Sequence, residues 1–313
     1  GGAPILEGSG RMYPVDIRSE PLAEGIAERE EITHVAAAVR AVDGIIDAGE
    51  GGDILVFMPT EQDIRESCDL LDGREHRGVK ILPMYARLSS QDQRRVFFPM
   101  RERKIVVATN VAETSITIPG IRFVIDTGLA RISYYNPRTR TSSLPIRPIS
   151  RSSADQRAGR CGRVEHGVCI RLYSREDYES RALYTAPEIL RSNLAEVILR
   201  MLTLRIDDPA AFPFVDPPAQ KSFRAGYDIL EELGAIEREY GEDGAARYRL
   251  TARGRRMARL PLDPRISRMI LEAETEGCLA EILVIAATLS TQDPRERPAG
   301  KEKEADAAHA LFV

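Results

Sequence analysis

Hydrophobic positions in the first half of the chain fall in short continuous runs separated by amphipathic stretches. Five runs, Ile54 to Met58, Val79 to Pro83, Ile105 to Ala108, Phe123 to Ile125 and Val168 to Leu172, have the length and β-branched content of buried strands. Between the first two, Thr60-Glu-Gln-Asp63 has the form of a capping box, and Ile64, Cys68 and Leu71 follow at i, i+4 and i+7, which predicts a helix. Ser90-Gln-Asp-Gln93 opens another helix in the same way, with Val96 and Phe97 on its apolar side. Strands alternating with helices predict a parallel sheet covered on both faces. Ligands of such sheets gather at the carboxyl ends of the strands. The stretch from Arg131 to Ile146 breaks the rhythm: Ile132-Ser-Tyr-Tyr135, a turn at Asn136-Pro-Arg-Thr139 and a return through Arg140 read as a β-hairpin insertion.

Beyond about residue 180 the period becomes helical. Pro187 to Leu204 presents Leu190, Leu194, Val197 and Met201 along one side, and Ser222 to Leu233 ends at Gly234 as at a C-cap. Ala235 to Glu239 and Ala246 to Leu250 flank Gly241-Glu-Asp-Gly244, a hairpin signal, and a helix starts near Thr251. Helices followed by a small hairpin predict a winged-helix domain. From Asp263 onward the chain reads as helical, with Cys278 to Leu289 apolar nearly all round, as in the central helix of a bundle.

Composition adds limits. The chain has 313 residues, 43% hydrophobic and 29% charged, which suits two or three domains with real cores. No signal peptide or lipidation motif is present, and Ile282 to Leu289, the most apolar stretch, is far too short to span a bilayer, so a cytoplasmic location without membrane partners is expected. The four cysteines form no C-x-x-C pair and the four histidines are scattered, which argues against structural zinc and a disulfide framework. A net charge of −4 argues against nucleic-acid binding by bulk electrostatics. Between Arg131 and Arg163, however, eight arginines stand against the single acid Asp155, which points to a local nucleic-acid-facing surface.

The most informative segment is Gln156-Arg-Ala-Gly-Arg-Cys-Gly-Arg163. On a helix Gln156, Arg160 and Arg163 share one face, while Arg157 points about a quarter-turn away. Guanidiniums offer planar forks suited to phosphate oxygens, and an amide can orient an attacking water. That is the equipment of phosphoryl transfer, in which an arginine finger is worth ~10³ to 10⁵ in rate. Gly159 and Gly162 sit awkwardly in a helix, each costing ~1 kcal/mol relative to Ala, and suggest that another backbone or a ligand comes close.

The octet matches Q-R-x-G-R-x-G-R, the sixth motif of the superfamily 2 helicases. With Ile54 to Ile64, Tyr85 to Phe97 and Val106 to Ile121 in order, the chain resembles the DEAH-box branch, and within it the bacterial HrpA-type RNA helicases. The resemblance runs from about Pro4 to the last residue. It implies a second RecA-like lobe over 1–180, a winged-helix domain over 181–258 that packs on the lobes, and the start of a helical ratchet-like domain over 259–313. The sequence holds no GxxxxGK[ST] and no Asp-Glu-Ala-His, so the chain is expected to begin just after a first lobe. That lobe would be its partner, would bind most of the ATP and Mg²⁺, and without it the chain would be inactive. An apolar surface near 279–313, with some self-association, is expected too.

By resemblance, Gln156, Arg160 and Arg163 are catalytic, Phe97 stacks on adenine, and Ser115 and Thr117 face the nucleotide. Thr60, Arg87, Thr109, Asn110, Thr114 and Arg131 fall to single-stranded or partly duplex RNA, free or within a ribonucleoprotein. The hairpin looks like a strand-separating wedge, with Arg138 and Arg140 toward phosphates and Tyr134 or Tyr135 stacking on bases or holding the hairpin in place. Two positions depart from the pattern. Thr60 stands where relatives usually carry Gly, and Pro119 where several eukaryotic relatives carry an Asp that binds the ribose. The reading is the motor lobe of an ATP-dependent RNA helicase; the alternatives are a non-enzymatic winged-helix adaptor and a DNA translocase.

Overall fold

The computed structural model describes residues 13–21, 32–114, 117–136, 139, 141–206, 208–240, 246–291, 295 and 302–312. The chain divides into two compact units, one of residues 1–132, 145–185 and 296–313, the other of residues 133–144 and 186–295. The second unit runs across the boundary expected near residue 258 and takes in part of the hairpin insertion.

The first unit is an alternating α/β layer: β1 (Val15–Ser19), α1 (His34–Asp47), β2 (Asp53–Phe57), α2 (Glu61–Asp72), β3 (Val79–Met84), α3 (Ser90–Arg95), β4 (Arg103–Ala108), α4 (Val111–Thr114) and β5 (Ile121–Asp126). Then come β6 (Leu129–Arg131), β7 (Tyr134–Asn136), β8 (Thr141–Ser143), β9 (Ile146–Pro148), α5 (Arg151–Ala158), β10 (Gly167–Arg171) and α6 (Arg175–Ser180). Six strands form one parallel sheet in the order β1-β10-β5-β2-β4-β3. Alternation along each strand sends Ile54, Val56, Ile105, Val107, Phe123 and Ile125 toward α1 and α2. Leu55, Phe57, Val106, Ala108, Val124 and Cys169 go to the other face, with Ala112, Ala158 and Cys161. All five expected strands are in this sheet. β1 and α1 were not expected. Four of the five β1 residues are exposed, so this edge strand is defined by its backbone pairing with β10 and carries no apolar run.

The Thr60 box forms as expected: its hydroxyl accepts from Asp63 N–H at 3.1 Å and donates to Asp63 Oδ2 at 2.6 Å. α3 differs by one residue. Ser89, not Ser90, is its cap, accepting from Asp92 N–H at 3.2 Å. The helix ends at Arg95, so Val96 is buried as its C-cap while Phe97, 36% exposed, lies beyond the helix and not on an apolar face of it.

The insertion is two short ladders, not one continuous hairpin. β6 pairs with β9, and β7 pairs with β8 in the second unit. There Tyr135 N–H donates to the Arg191 carbonyl at 2.8 Å, and Arg191 Nη1 donates to the Ser133 carbonyl at 2.9 Å. Tyr135 is buried and Tyr134 is 44% exposed, so only Tyr134 presents its ring.

The rest of the second unit has α7 (Ala195–Thr203), α8 (Gln220–Glu232), β11 (Ile236–Tyr240), β12 (Ala246–Leu250), α9 (Ala252–Met257), α10 (Pro264–Glu276) and α11 (Leu279–Ser290). Leu194, Ile198, Leu199 and Leu202 pack against Phe223, Tyr227 and Leu230, close enough that a Cβ on Gly226 would lie 2.6 Å from Ile198 Cδ1. Of the expected line Leu194 and Met201 are buried, whereas Val197 is half-buried and Leu190, in a separate 3₁₀ turn before the helix starts at Ala195, is exposed. Gly234 takes the left-handed conformation after α8, as the C-cap signal requires. β11 and β12 pair antiparallel; the expected turn at 241–244 lies outside the described residues. α11 is not a central helix among the described residues: Leu283, Val284, Ile285 and Leu289 are 45–68% exposed and only Ala286 is buried.

Candidate nucleotide and nucleic-acid site

The parallel register sets the carboxyl ends of β2, β3 and β4 at one edge of the sheet. Thr60 follows β2, Arg87 follows β3, and Thr109 and Asn110 follow β4, so topology alone gathers four of the expected RNA-facing residues there. Thr109 N–H is fastened to the Met84 carbonyl at 3.2 Å, and the Thr109 and Asn110 carbonyls accept from Ala112 and Glu113 at 3.1 and 2.9 Å as α4 begins. Asn110, Thr114 and Arg87 are exposed, whereas the Thr60 hydroxyl is engaged in its cap. Arg131 is exposed at the end of β6. Ser115, Arg138 and Arg140 lie outside the described residues.

The sixth motif departs from its expected geometry. α5 stops at Ala158, so Gln156, Arg160 and Arg163 do not share a helical face. Gly159 closes the helix through its N–H to the Asp155 carbonyl at 2.9 Å, and the chain turns with Arg160 N–H on the Arg157 carbonyl at 3.0 Å. Gly162 then meets another backbone, as its glycine suggested: Tyr13 N–H donates to the Gly162 carbonyl at 2.9 Å, and a Cβ there would lie 2.6 Å from Val15 Cγ2 and 2.8 Å from the Tyr13 carbonyl oxygen. Gly162→Ala is thus expected to dislodge the β1 edge, costing about 1–3 kcal/mol as an overpacked contact; a urea-unfolding midpoint equal to wild type would exclude it.

The turn brings the arginines together by another route. Arg163 Nη1 donates to the Thr117 hydroxyl, and Arg160 Nη2 donates to the Glu113 carbonyl. Arg163 is exposed and Arg160 buried. Burial lowers the Arg160 pKa, the nearby Arg163 lowers it further, and Glu113 opposes both. Two guanidiniums whose charges oppose each other raise the local positive potential, which a bound anion would relieve. Gln156 is exposed in the last turn of α5.

Sequence reasoning set Arg157 aside, and it proves to be the organiser. Its side chain is fully buried; Nε donates to Glu113 Oε2 at 3.0 Å, Nη1 to Asp126 Oδ1 at 2.7 Å and Nη2 to the Leu129 carbonyl at 3.2 Å, over the Phe57 ring at 4.7 Å. Burial pulls its pKa down, but Asp126 and Glu113 outweigh that and raise it. Ser153 donates to Glu113 Oε1, and Tyr173 donates to Asp126 Oδ2 at 2.8 Å. Glu113 therefore ties the loop after β4 to α5 through side chain and carbonyl together. The available signal was Asp126, an acid directly after the apolar run Phe123 to Ile125, which needs a buried partner.

The model for the helicase conserved C-terminal domain matches residues 37–165, and that for the helicase associated domain (HA2), ratchet-like, matches 263–312. The ATP-dependent RNA helicase HrpA of Escherichia coli is 51% identical over 99% of the chain, and its homolog in Haemophilus influenzae 49% over 99%. The chain belongs to the HrpA-type DEAH-box helicases. It spans about a quarter of the length of those relatives, 24% and 23%. Crystal structures of the Escherichia coli helicase HrpB match at 33% identity with TM-scores of 0.82 and 0.78, covering 99% and 97% of the chain and 39% and 37% of those chains. In this family of helicases the α/β layer of the first unit is the RecA-like lobe, and the helices from residue 263 are the HA2 region. Among the described residues no helix is long and apolar enough to cross a membrane, and no group of His, Cys, Asp or Glu is arranged to hold a metal ion.

Proposed function

We propose that the chain is the second motor lobe of an ATP-dependent RNA helicase, with Arg160 and Arg163 as arginine fingers and Gln156 orienting the attacking water. One observation carries the reading: the two arginines are hydrogen-bonded to the same loop, at the Glu113 carbonyl and Thr117, whose first residues Thr109 and Asn110 stand at the carboxyl end of β4. A loop that touches RNA at one end and the nucleotide pocket at the other converts a nucleotide-dependent shift into a change of grip on the strand. Thr109, Asn110, Thr60, Arg87, Thr114 and Arg131 hold backbone phosphates, contacts that position a strand without reading its sequence. Ser115, Arg138 and Arg140 keep the roles the resemblance implies.

The residues present fit the γ-phosphate and, through the exposed Phe97 ring, the adenine. They do not fit Mg²⁺, which needs carboxylates that this set lacks. Metal and phosphate cradle therefore belong to a first RecA-like lobe, and this chain by itself is expected not to hydrolyse ATP. The helix pair and hairpin from Ala195 to Met257 act as a winged-helix domain, and the enzyme works in the cytoplasm on RNA, free or in ribonucleoprotein.

The test is steady-state ATP turnover by a polypeptide joining this chain to a first RecA-like lobe, with no nucleic acid, single-stranded RNA or single-stranded DNA. Stimulation by RNA supports the reading. Stimulation by DNA alone would make it a DNA translocase, and no turnover would leave a nucleic-acid adaptor.

A further inference from the structure

A buried lysine stands behind the nucleotide-facing loops. Lys104, in β4, is 4% exposed, and its ammonium donates to the Pro119 carbonyl at 3.1 Å and the Val96 carbonyl at 3.3 Å and lies 3.3 Å from Asp53 Oδ2. An ammonium has three donors and no acceptor. Three oxygens meet three donors, which is what makes burial of the group tolerable. Asp53 is fixed in turn, accepting the Lys104 backbone N–H at 2.8 Å while its own N–H donates to the Gly120 carbonyl at 3.1 Å. Gly120 has φ +85°, and a Cβ there would lie 2.7 Å from Asp53 Oδ2, so the turn is pressed onto the same carboxylate.

The two carbonyls belong to loops far apart in sequence. Val96 immediately precedes Phe97, and Pro119 lies two residues after Thr117, the acceptor for Arg163. β4 does not need the ammonium to stay in the sheet, since it pairs with β2 and β3 along its length and Ile105, Val106 and Val107 are fully buried. Two of the three contacts reach out of the sheet to these loops.

We propose that Lys104 is a positioning residue for the nucleotide, fixing the Phe97 ring and the Thr117–Pro119 turn at one spacing. This rests on the reading that Phe97 stacks on adenine and Thr117 faces the nucleotide. Base stacking and the Arg163–Thr117 contact then depend on a single buried group.

Two measurements on Lys104→Gln and Lys104→Met separate the clamp from that reading. In hydrogen exchange on this chain, segments 94–99 and 117–121 are expected to exchange about tenfold faster together, while 109–114 keeps its wild-type rate. In the polypeptide joined to a first lobe, the ATP KM is expected to rise about tenfold with kcat nearly unchanged. Phe97→Ala is expected to raise KM similarly, and the double variant no further, because both act through one contact. Unchanged exchange at either segment overturns the clamp, and additive KM effects overturn its action through Phe97. A normal KM in Phe97→Ala alone overturns the nucleotide role together with the stacking reading, and the exchange result then decides the clamp by itself. The Met variant loses every donor; if it unfolds, the Gln variant, whose amide keeps two donors, carries the test. Global loss of protection in both would assign Lys104 to the fold alone and overturn the proposal.

Discussion

Arg157→Met is expected to lower the unfolding free energy of this chain by roughly 3–5 kcal/mol, the usual cost of removing one partner from a buried ion pair. The side chain it replaces is wholly buried between Glu113 and Asp126, and it also satisfies the Leu129 carbonyl. Methionine fills much of the same volume beside Phe57, so the loss would be electrostatic and not that of a cavity. Two carboxylates would be left in a low-dielectric interior with, among the described residues, Ser153 and Tyr173 as side-chain donors, and an unpaired buried charge is the most expensive group a fold can carry. The chain has no tryptophan, so the measurement is urea unfolding followed by far-ultraviolet circular dichroism. Adding Glu113→Gln to Arg157→Met should recover part of the loss by removing one stranded charge. A midpoint indistinguishable from wild type would show that the network is not what fixes the loop after β4 to α5.

That network also shows what a sequence can and cannot disclose. The five core strands were legible because a strand buried on both faces reads as a near-continuous apolar run, as at Ile54, Val106 and Phe123. The edge strand β1 was not legible: its sequence alternates weakly, and only pairing with β10 defines it. In the sixth motif the chemistry was readable and the geometry was not. Arginines with an interleaved glycine pattern announce phosphate, but helical periodicity assumes that the helix continues. Gly159 closes the helix after Ala158 instead, and Gly162 makes room for Tyr13. Arg157 was given no role for the same reason, since a residue turned away from a presumed active face shows nothing of partners that lie 44 and 31 positions earlier in the chain. The exposure of α11 was foreseen, though its periodicity pointed to a central helix.

The difference between Arg160 and Arg163 gives the second large expectation. Both are assigned to the transferring phosphoryl group, yet one is buried against the Glu113 carbonyl and the other is exposed on the Thr117 hydroxyl. In the polypeptide joined to a first lobe, Arg163→Ala is expected to reduce RNA-stimulated ATP turnover by ~10³ or more, about 4 kcal/mol of barrier. Stability should change by no more than about 0.5 kcal/mol, as for an exposed position. Arg160→Ala should lose turnover and stability together, since its guanidinium also satisfies a backbone carbonyl in the loop. RNA binding measured without nucleotide should survive Arg163→Ala, because Thr109 and Asn110 are held by backbone bonds to Met84, Ala112 and Glu113 and not by this arginine. If turnover is unchanged in Arg163→Ala, the finger assignment fails and the Arg163–Thr117 contact is only a surface hydrogen bond. If turnover and RNA binding fall together, Arg163 acts on the strand through Thr117, and the loop after β4 is the element that carries the coupling.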